Sequence, residues 1–452
     1  MDRYAETRPF AVTNRVVLSI AVPMTLAYLT TPLLGLVDTA VIGQFGDAAL
    51  LGGLAAGTLV FDVVFTTLNF LRASTTGLVA HAFGRDDGPE QQAVFWRAFL
   101  LALAAGLLLA VLAPLISGAG IWFIDAEPRV DAALDAYVRT RMLGAPFALV
   151  NYVILGYVLG RGEGRLALLL QIVLNSVNVV LSILLGLELG WGVEGVAMGT
   201  VGGELLAMLL GMGILLRRFR AVPRLPRERI FHASAFLRML SLNRDIMIRS
   251  FSLLAAFALF ARQGAQFGTV TLAANAVLMN FFMAAAFFLD GFAAAAEQLA
   301  GRALGARYAP AFRAAVRLCA LWGFVLAGVA TVFLLVWGGA LIDLITSAAD
   351  VRTAARAFLP WAAFTALTAV LAFELDGVFI GAMWSRDLRN MMLLSLALFW
   401  GALLVLAPAF GNSGLWASLH VFLAARSLSL LYILPARTRQ SFREAAAGPP
   451  TR

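Results

Sequence analysis

The sequence predicts an all-α integral membrane protein of twelve transmembrane helices, arranged as two six-helix lobes. Three observations lead there. The chain is 61% hydrophobic and only 13% charged, with a mean hydropathy of +0.87, too little charge to cover a water-soluble protein of 452 residues. Apolar stretches long enough to cross a hydrocarbon core of about 30 Å recur from end to end, each broken by a short polar or Gly/Pro-containing gap. A basic linker then divides the stretches six and six, and the two halves share motifs at a common offset. Only helices or closed barrels satisfy their backbone in lipid, and runs of Leu, Ala and Phe without strict alternation exclude the barrel.

The expected spans are 14–43, 50–81, 91–117, 131–160, 166–187 and 193–216, then 245–267, 271–300, 310–344, 354–383, 388–409 and 413–435. They define an N-lobe over 1–216, a linker over 217–244, a C-lobe over 245–435 and a tail over 436–452. Arginines gather in alternate gaps: Arg3, Arg8 and Arg15, then Arg85, then Arg161 and Arg165. The linker adds Arg217, Arg218, Arg220, Arg224, Arg227, Arg229, Arg238 and Arg244. Arg302, Arg307 and Arg313 follow, then Arg386 and Arg389, and finally Arg437, Arg439 and Arg443. The opposite gaps are acidic or neutral, with Asp47, Asp125, Glu127, Glu188 and Asp343 among them. By the positive-inside rule both termini are expected in the cytoplasm of a cell whose inner membrane the chain crosses repeatedly.

Ala80–Gly84 matches Gly301–Gly305, and Leu155–Gly160 matches Asp376–Gly381, both at an offset of about 221. Gly192–Gly195 pairs with Gly411–Gly414 at about 219. Six spans is an even number, so the halves enter the membrane in the same sense, as parallel repeats about an axis along the membrane normal. That leaves a central cleft which rocking lobes can open to either side.

The same residues exclude other classes. Cys319 is the only cysteine, and His81, His232 and His420 are far apart in sequence, so neither a disulfide framework nor a metal site is expected. The formal charge of +8 sits in the membrane-flanking gaps and sets orientation, so no nucleic acid partner is expected. Met1–Phe10 is polar and the first apolar stretch lacks a small-residue cleavage site, so it is expected to remain as a membrane helix. No Gly-x-Ser-x-Gly, His-Glu-x-x-His or P-loop pattern occurs, which argues against an enzyme and against nucleotide-driven pumping.

Within the spans, polar residues are the functional candidates. Asp38 has apolar neighbours on both sides and no base within one turn. Burying such a carboxylate unpaired costs several kcal/mol, so it is protonated or meets a partner from another helix, unless it only marks the outer membrane interface. Gln171, Asn175, Asn178 and Ser182 recur at i, i+4, i+7 and i+11 on an otherwise apolar fifth span. Such a stripe lines a wet cavity or ties helices together. Asn151 and Glu204 are expected to face the same interior. In the second half, Asp290 and Glu297 share a face, Glu374 and Asp376 lie in the tenth span, and Arg262 is the expected counter-ion. They read as a cation site or, by preference, as an internal ion-pair network. Pro23, Pro32, Pro146 and Pro360 are candidate bends.

The block Pro32-Leu33-Leu34-Gly35-Leu36-Val37-Asp38-Thr39-Ala40-Val41-Ile42-Gly43 resembles the multidrug and toxic compound extrusion (MATE) family, in its DinF branch. So do Asn243-Arg244-Asp245 with Arg249, Leu272–Leu278, Asp290-Gly291-Phe292-Ala293, Glu297 and Asp376–Gly381. The resemblance covers nearly the whole chain. It implies two six-helix lobes in a V shape and export of amphipathic, often cationic compounds by alternating access, coupled to protons or sodium, with no other cofactor. The family's first-span acid falls on Asp38 and its fifth-span Asn-x-x-x-Asp on Asn178 and Ser182. Ser182 stands where many relatives carry Asp, and a serine does not ionise near neutral pH, so Asp38 is expected to titrate alone or with Glu204. The seventh-span glutamate of other branches has no clear counterpart, which weakens a sodium site. The expected function is therefore proton-coupled multidrug export by a monomer in the bilayer, with a sodium-coupled exporter or a lipid-linked precursor flippase as alternatives. A flippase would need cationic residues in its cavity, and Arg72, Arg97 and Arg262 are the candidates.

Overall fold

The computed structural model describes residues 7–220 and 226–447. Arg3, Arg224 and the tail beyond 447 lie outside the described residues. The helices are α1 (Asn14–Gly43), α2 (Ala48–Leu68), α3 (Phe70–Gly84), α4 (Gly88–Val111), α5 (Ala113–Ile124), α6 (Pro128–Leu143), α7 (Ala145–Gly160) and α8 (Gly164–Leu181). A π-helical segment, Ser182–Glu188, extends α8. Then come α9 (Gly192–Phe219), α10 (Arg227–Ile230), α11 (Ala233–Gln266), α12 (Thr269–Gly305), α13 (Ala309–Ile345), α14 (Ala349–Gly381) and α15 (Ser385–Ala447). Strands are absent among the described residues, so the all-α class stands.

Nine helical stretches among the described residues are long and apolar enough to cross a membrane, ten if the bent pair α6–α7 is one span. The last stretch holds two expected spans, because α15 breaks at Gly411, whose φ of 57° and ψ of −134° leave the helical region. With that stretch counted as two, α11 is the one expected span outside the set; it is helical over 245–266.

Several expected spans are interrupted. The second is broken for one residue at Asn69 between α2 and α3, and the third ends at Val111, with Leu112 capping the separate α5 and Pro114 in its first turn. The fourth bends by 52° between α6 and α7. Pro146 stands in the first turn of α7, where its ring and missing N–H stop α6 from running through. Helix starts follow from side chains: Asp47 caps α2 by accepting from the Ala49 N–H at 2.9 Å, and Asp87 caps α4 by accepting from the Glu90 N–H at 3.0 Å.

The chain forms two compact units. One is Leu26–Leu240; the other joins the chain up to Thr25 with the chain from Ser241 onward. Helix α1 therefore contributes to both, and Pro23 and Pro32 lie on either side of the division. In the second unit the start of α1 packs Val17, Ile20 and Ala21 against Phe292, Ala295 and Leu299 of α12.

Each unit contains the same close helix crossing. A Cβ on Gly156 or Gly160 of α7 would stand 2.6 Å from the Arg72 carbonyl oxygen or 2.8 Å from that of Thr76, on α3. In the other unit, a Cβ on Gly377 or Gly381 of α14 would stand 2.2 Å from the Ala293 oxygen or 1.9 Å from the Glu297 oxygen, on α12. All four glycines and all four carbonyls correspond at an offset of 221. Small residues bring backbones together where lipid supplies no hydrophobic drive between helices, so both halves use the same device at the same place. Left-handed residues repeat as well: Asp86 with Arg307, Gly162 with Met383, and Gly192 with Gly411, whose φ values are 56° and 57°. The last pair has the shorter offset because the turn before Gly411 is two residues shorter; Gly195 meets the Leu185 backbone as Gly414 meets that of Leu406.

Candidate functional site: buried charges in two helical units

In the unit Leu26–Leu240, α9 presents Gly195, Gly199 and Gly203 at four-residue spacing. A Cβ on Gly199 would stand 2.5 Å from the Ser182 nitrogen, and one on Gly203 would stand 2.6 Å from the Leu174 oxygen. This approach seals Asn178 and Ser182, which are 1% and 0% exposed. The helix also widens into its π segment at Ser182, a departure from regular geometry that recurs at functional positions.

The polar stripe on α8 divides its work. Gln171 donates to Asn175 at 3.2 Å, and Asn175 donates to the Thr30 hydroxyl, tying α8 to α1. Further along, Ser182 donates to Asn178 Oδ1 at 3.1 Å. Asn151 donates to the Glu204 backbone oxygen at 2.7 Å, joining α7 to α9. The Asn151 amide and the first half of the stripe thus hold helices together, while its second half stands beside Asp38.

Asp38 is 9% exposed, and its Oδ1 has no hydrogen-bond partner among the described residues. The polar groups that act on it are the Ser182 hydroxyl and the Arg141 guanidinium. A hydroxyl has one proton and two lone pairs. Ser182 donates to Asn178 Oδ1 and also lies 3.4 Å from the Val196 carbonyl oxygen.

Glu204, a candidate partner for Asp38 in titration, is already paired. Arg141 Nη1 and Nη2 each donate to a Glu204 carboxylate oxygen at 3.0 Å, a bidentate fork with both side chains under 10% exposed. The guanidinium lies 4.0 Å from the centre of the Phe61 ring. Sequence reasoning missed Arg141 and also Asp62 on α2, an exposed acid on which the Arg141 charge acts. Both lie about ten residues inside expected spans, and that depth is the signal by which they are found.

In the other unit, Asp376 accepts from Arg249 of α11 and from Arg426 of α15, the latter at 2.5 Å. Arg262, the expected counter-ion, is exposed instead. It lies 13 residues beyond Arg249 on α11, too far along the helix to reach the same carboxylate. Asp245 is wholly buried and accepts from Arg389 at 2.8 Å and from Ser385 at 3.1 Å, fastening α11 to the start of α15. Glu374 is 2% exposed, and neither of its oxygens has a hydrogen-bond partner among the described residues. Glu297 is buried and Asp290 half-buried, both on α12. Among the described residues no three His, Cys, Asp or Glu side chains gather as metal ligands.

Comparison with known proteins bears on this arrangement. The MatE family model matches residues 23–184 and 246–403. The chain is 37% identical over 416 residues to "DNA damage-inducible protein F" of Escherichia coli (strain K12), covering 92% of this chain and 90% of that protein. It is 25% identical to "Probable multidrug resistance protein NorM" of Chromobacterium violaceum, covering 94% of each. Among solved structures, a MATE crystal structure in the bent conformation superposes with a TM-score of 0.87 at 18% identity, over 96% of this chain and 97% of that one. An outward-facing multidrug resistance MATE transporter superposes with a TM-score of 0.85 at 17% identity, with the same coverage.

Proposed function

Because the chain belongs to the MATE family, in its DinF branch, whose members are transporters and not enzymes, we propose that it is a secondary active exporter. It exchanges protons for amphipathic, often cationic organic compounds, and Asp38 carries the proton. The observation that supports this reading most is the partnerless Oδ1 of Asp38, in a unit whose buried Arg141 is forked onto Glu204. An acid so placed is free to gain and lose a proton, whereas Asp376 is held by two arginines. Pro23 and Pro32, with the division between units falling between them, are where α1 bends as Asp38 changes charge.

The gathering of arginines in alternate gaps supports insertion in the inner membrane with both termini cytoplasmic, and the chain works as a monomer. A flippase for pyrophosphate-linked lipids needs unspent cations: of its three candidates Arg97 donates to Glu90 at 3.0 Å and to the Arg229 carbonyl and Arg72 donates to Asn69 at 3.2 Å, which leaves only the exposed Arg262 to serve it. Transport into everted vesicles, with proton and sodium gradients imposed separately, tests the coupling. Export driven by the proton gradient alone is expected; export that requires sodium overturns proton coupling. For orientation, a reporter fused near Pro226 is expected to read cytoplasmic and one near Glu127 external. The same side for both would refute the topology.

A further inference from the structure

Among the buried polar atoms of the unit Leu26–Leu240 that lack partners, Asp38 Oδ1 is an acceptor, and Arg141 Nε and Asn178 Nδ2 are donors; of these two donors only Arg141 carries a charge. The guanidinium has five N–H bonds in a planar fork. Glu204 takes one from each Nη at 3.0 Å and the Tyr137 hydroxyl also faces the guanidinium, while Nε is left without a partner. Arg141 is also the cation whose charge acts on Asp38. The other titratable or charged groups around this cluster are Asp62 on α2, Arg72 on α3, Tyr137 on α6, Tyr152 on α7 and Glu204 on α9.

We propose that Arg141 is the positioning residue of the coupling site: when the Asp38 proton passes to water, the free Nε–H of Arg141 takes the carboxylate while its Nη pair stays on Glu204. One guanidinium then bridges α1, α6 and α9, and protonation of Asp38 releases α1 from that bridge. This rests on the reading of Asp38 as the proton site. It adds a cause for α1 to move: a hydrogen-bonded charge pair present in only one protonation state, as any coupling mechanism requires.

The test is the pH dependence of ethidium binding to the purified full-length protein, followed by fluorescence. Removing Arg141 alone strands Glu204, so the informative variant replaces the buried pair by neutral isosteres, Arg141→Gln with Glu204→Gln. Without the nearby cation the midpoint of binding is expected to move up by about 1 pH unit, less than for an unopposed cation because the Glu204 charge leaves with it. Glu204→Gln alone leaves Arg141 wholly to Asp38, and the midpoint is expected to move down. Arg141→Lys, a point charge without the fork, is expected to restore part of the wild-type midpoint. A wild-type midpoint in the double variant, or an upward move in Glu204→Gln, overturns the role of Arg141 while leaving Asp38 in place. Asp38→Asn separates the two readings: loss of the pH dependence upholds the proton site, and an unchanged midpoint removes both.

Discussion

Asp38→Asn is expected to abolish proton-driven export while the protein stays folded and inserted. Asparagine keeps the size of the side chain and its capacity to meet Ser182, but it cannot change charge, so it separates titration from packing. Coupling requires a proton to be held more tightly in one conformation than in the other, since a group with equal affinity for both shifts nothing. Each pH unit of that difference is worth about 1.4 kcal/mol, and the variant removes all of it. Initial rates of drug uptake into everted vesicles, set against the amount of inserted protein, measure the effect. A wild-type rate would move the coupling site elsewhere. Of the remaining acids, Glu204 and Asp376 are bound to arginines, so Glu374 would be the next to substitute.

The second large effect is on stability. Gly381→Val places a side chain where a Cβ would already stand 1.9 Å from the Glu297 oxygen, and the obstruction is backbone rather than a movable side-chain end. Helices α12 and α14 must separate along their length. Overpacking of this kind costs roughly 3 kcal/mol or more and is expected to lower the melting temperature of the detergent-purified protein by about 5–10 °C. The repeat predicts an order. Gly377, Gly156 and Gly160 have closest carbonyl approaches of 2.2, 2.6 and 2.8 Å, so valine there is expected to be progressively milder. Gly213, where an added Cβ would meet nothing within 4 Å, is the control. If Gly213→Val destabilised as much as Gly381→Val, helix propensity rather than close approach would be the cause.

The glycine pairs also show why the repeat was legible. The offset of 221 ties Gly156 and Gly160 to Gly377 and Gly381 as letters. The structure adds that their targets, the backbones at 72, 76, 293 and 297, keep the same offset although the side chains there differ. A backbone contact constrains the glycine and leaves its target free to vary, so only one partner of each pair was visible. The Asn69 break had no such signal: its φ of −60° and ψ of −13° remain near the helical region, and no proline stands beside it.

By itself, the sequence determined the membrane class, the position of nearly every helix, the doubled plan and the candidacy of Asp38. These depend on hydropathy, glycine spacing and charge depth, properties that neighbouring residues set together. The tertiary structure alone decided which charges are spent. Arg141 meets Glu204 across 63 residues, and Asp376 meets Arg249 across 127 and Arg426 across 50. Arg262 on the same helix as Arg249 meets neither. An ion pair depends on which helix faces are brought together, and a buried carboxylate becomes a free proton site or a fixed strut according to whether a guanidinium from a distant helix reaches it. No local pattern carries that, and so Asp38, Glu204 and Asp376, alike as acids within spans, come to have different partners only when the helices pack.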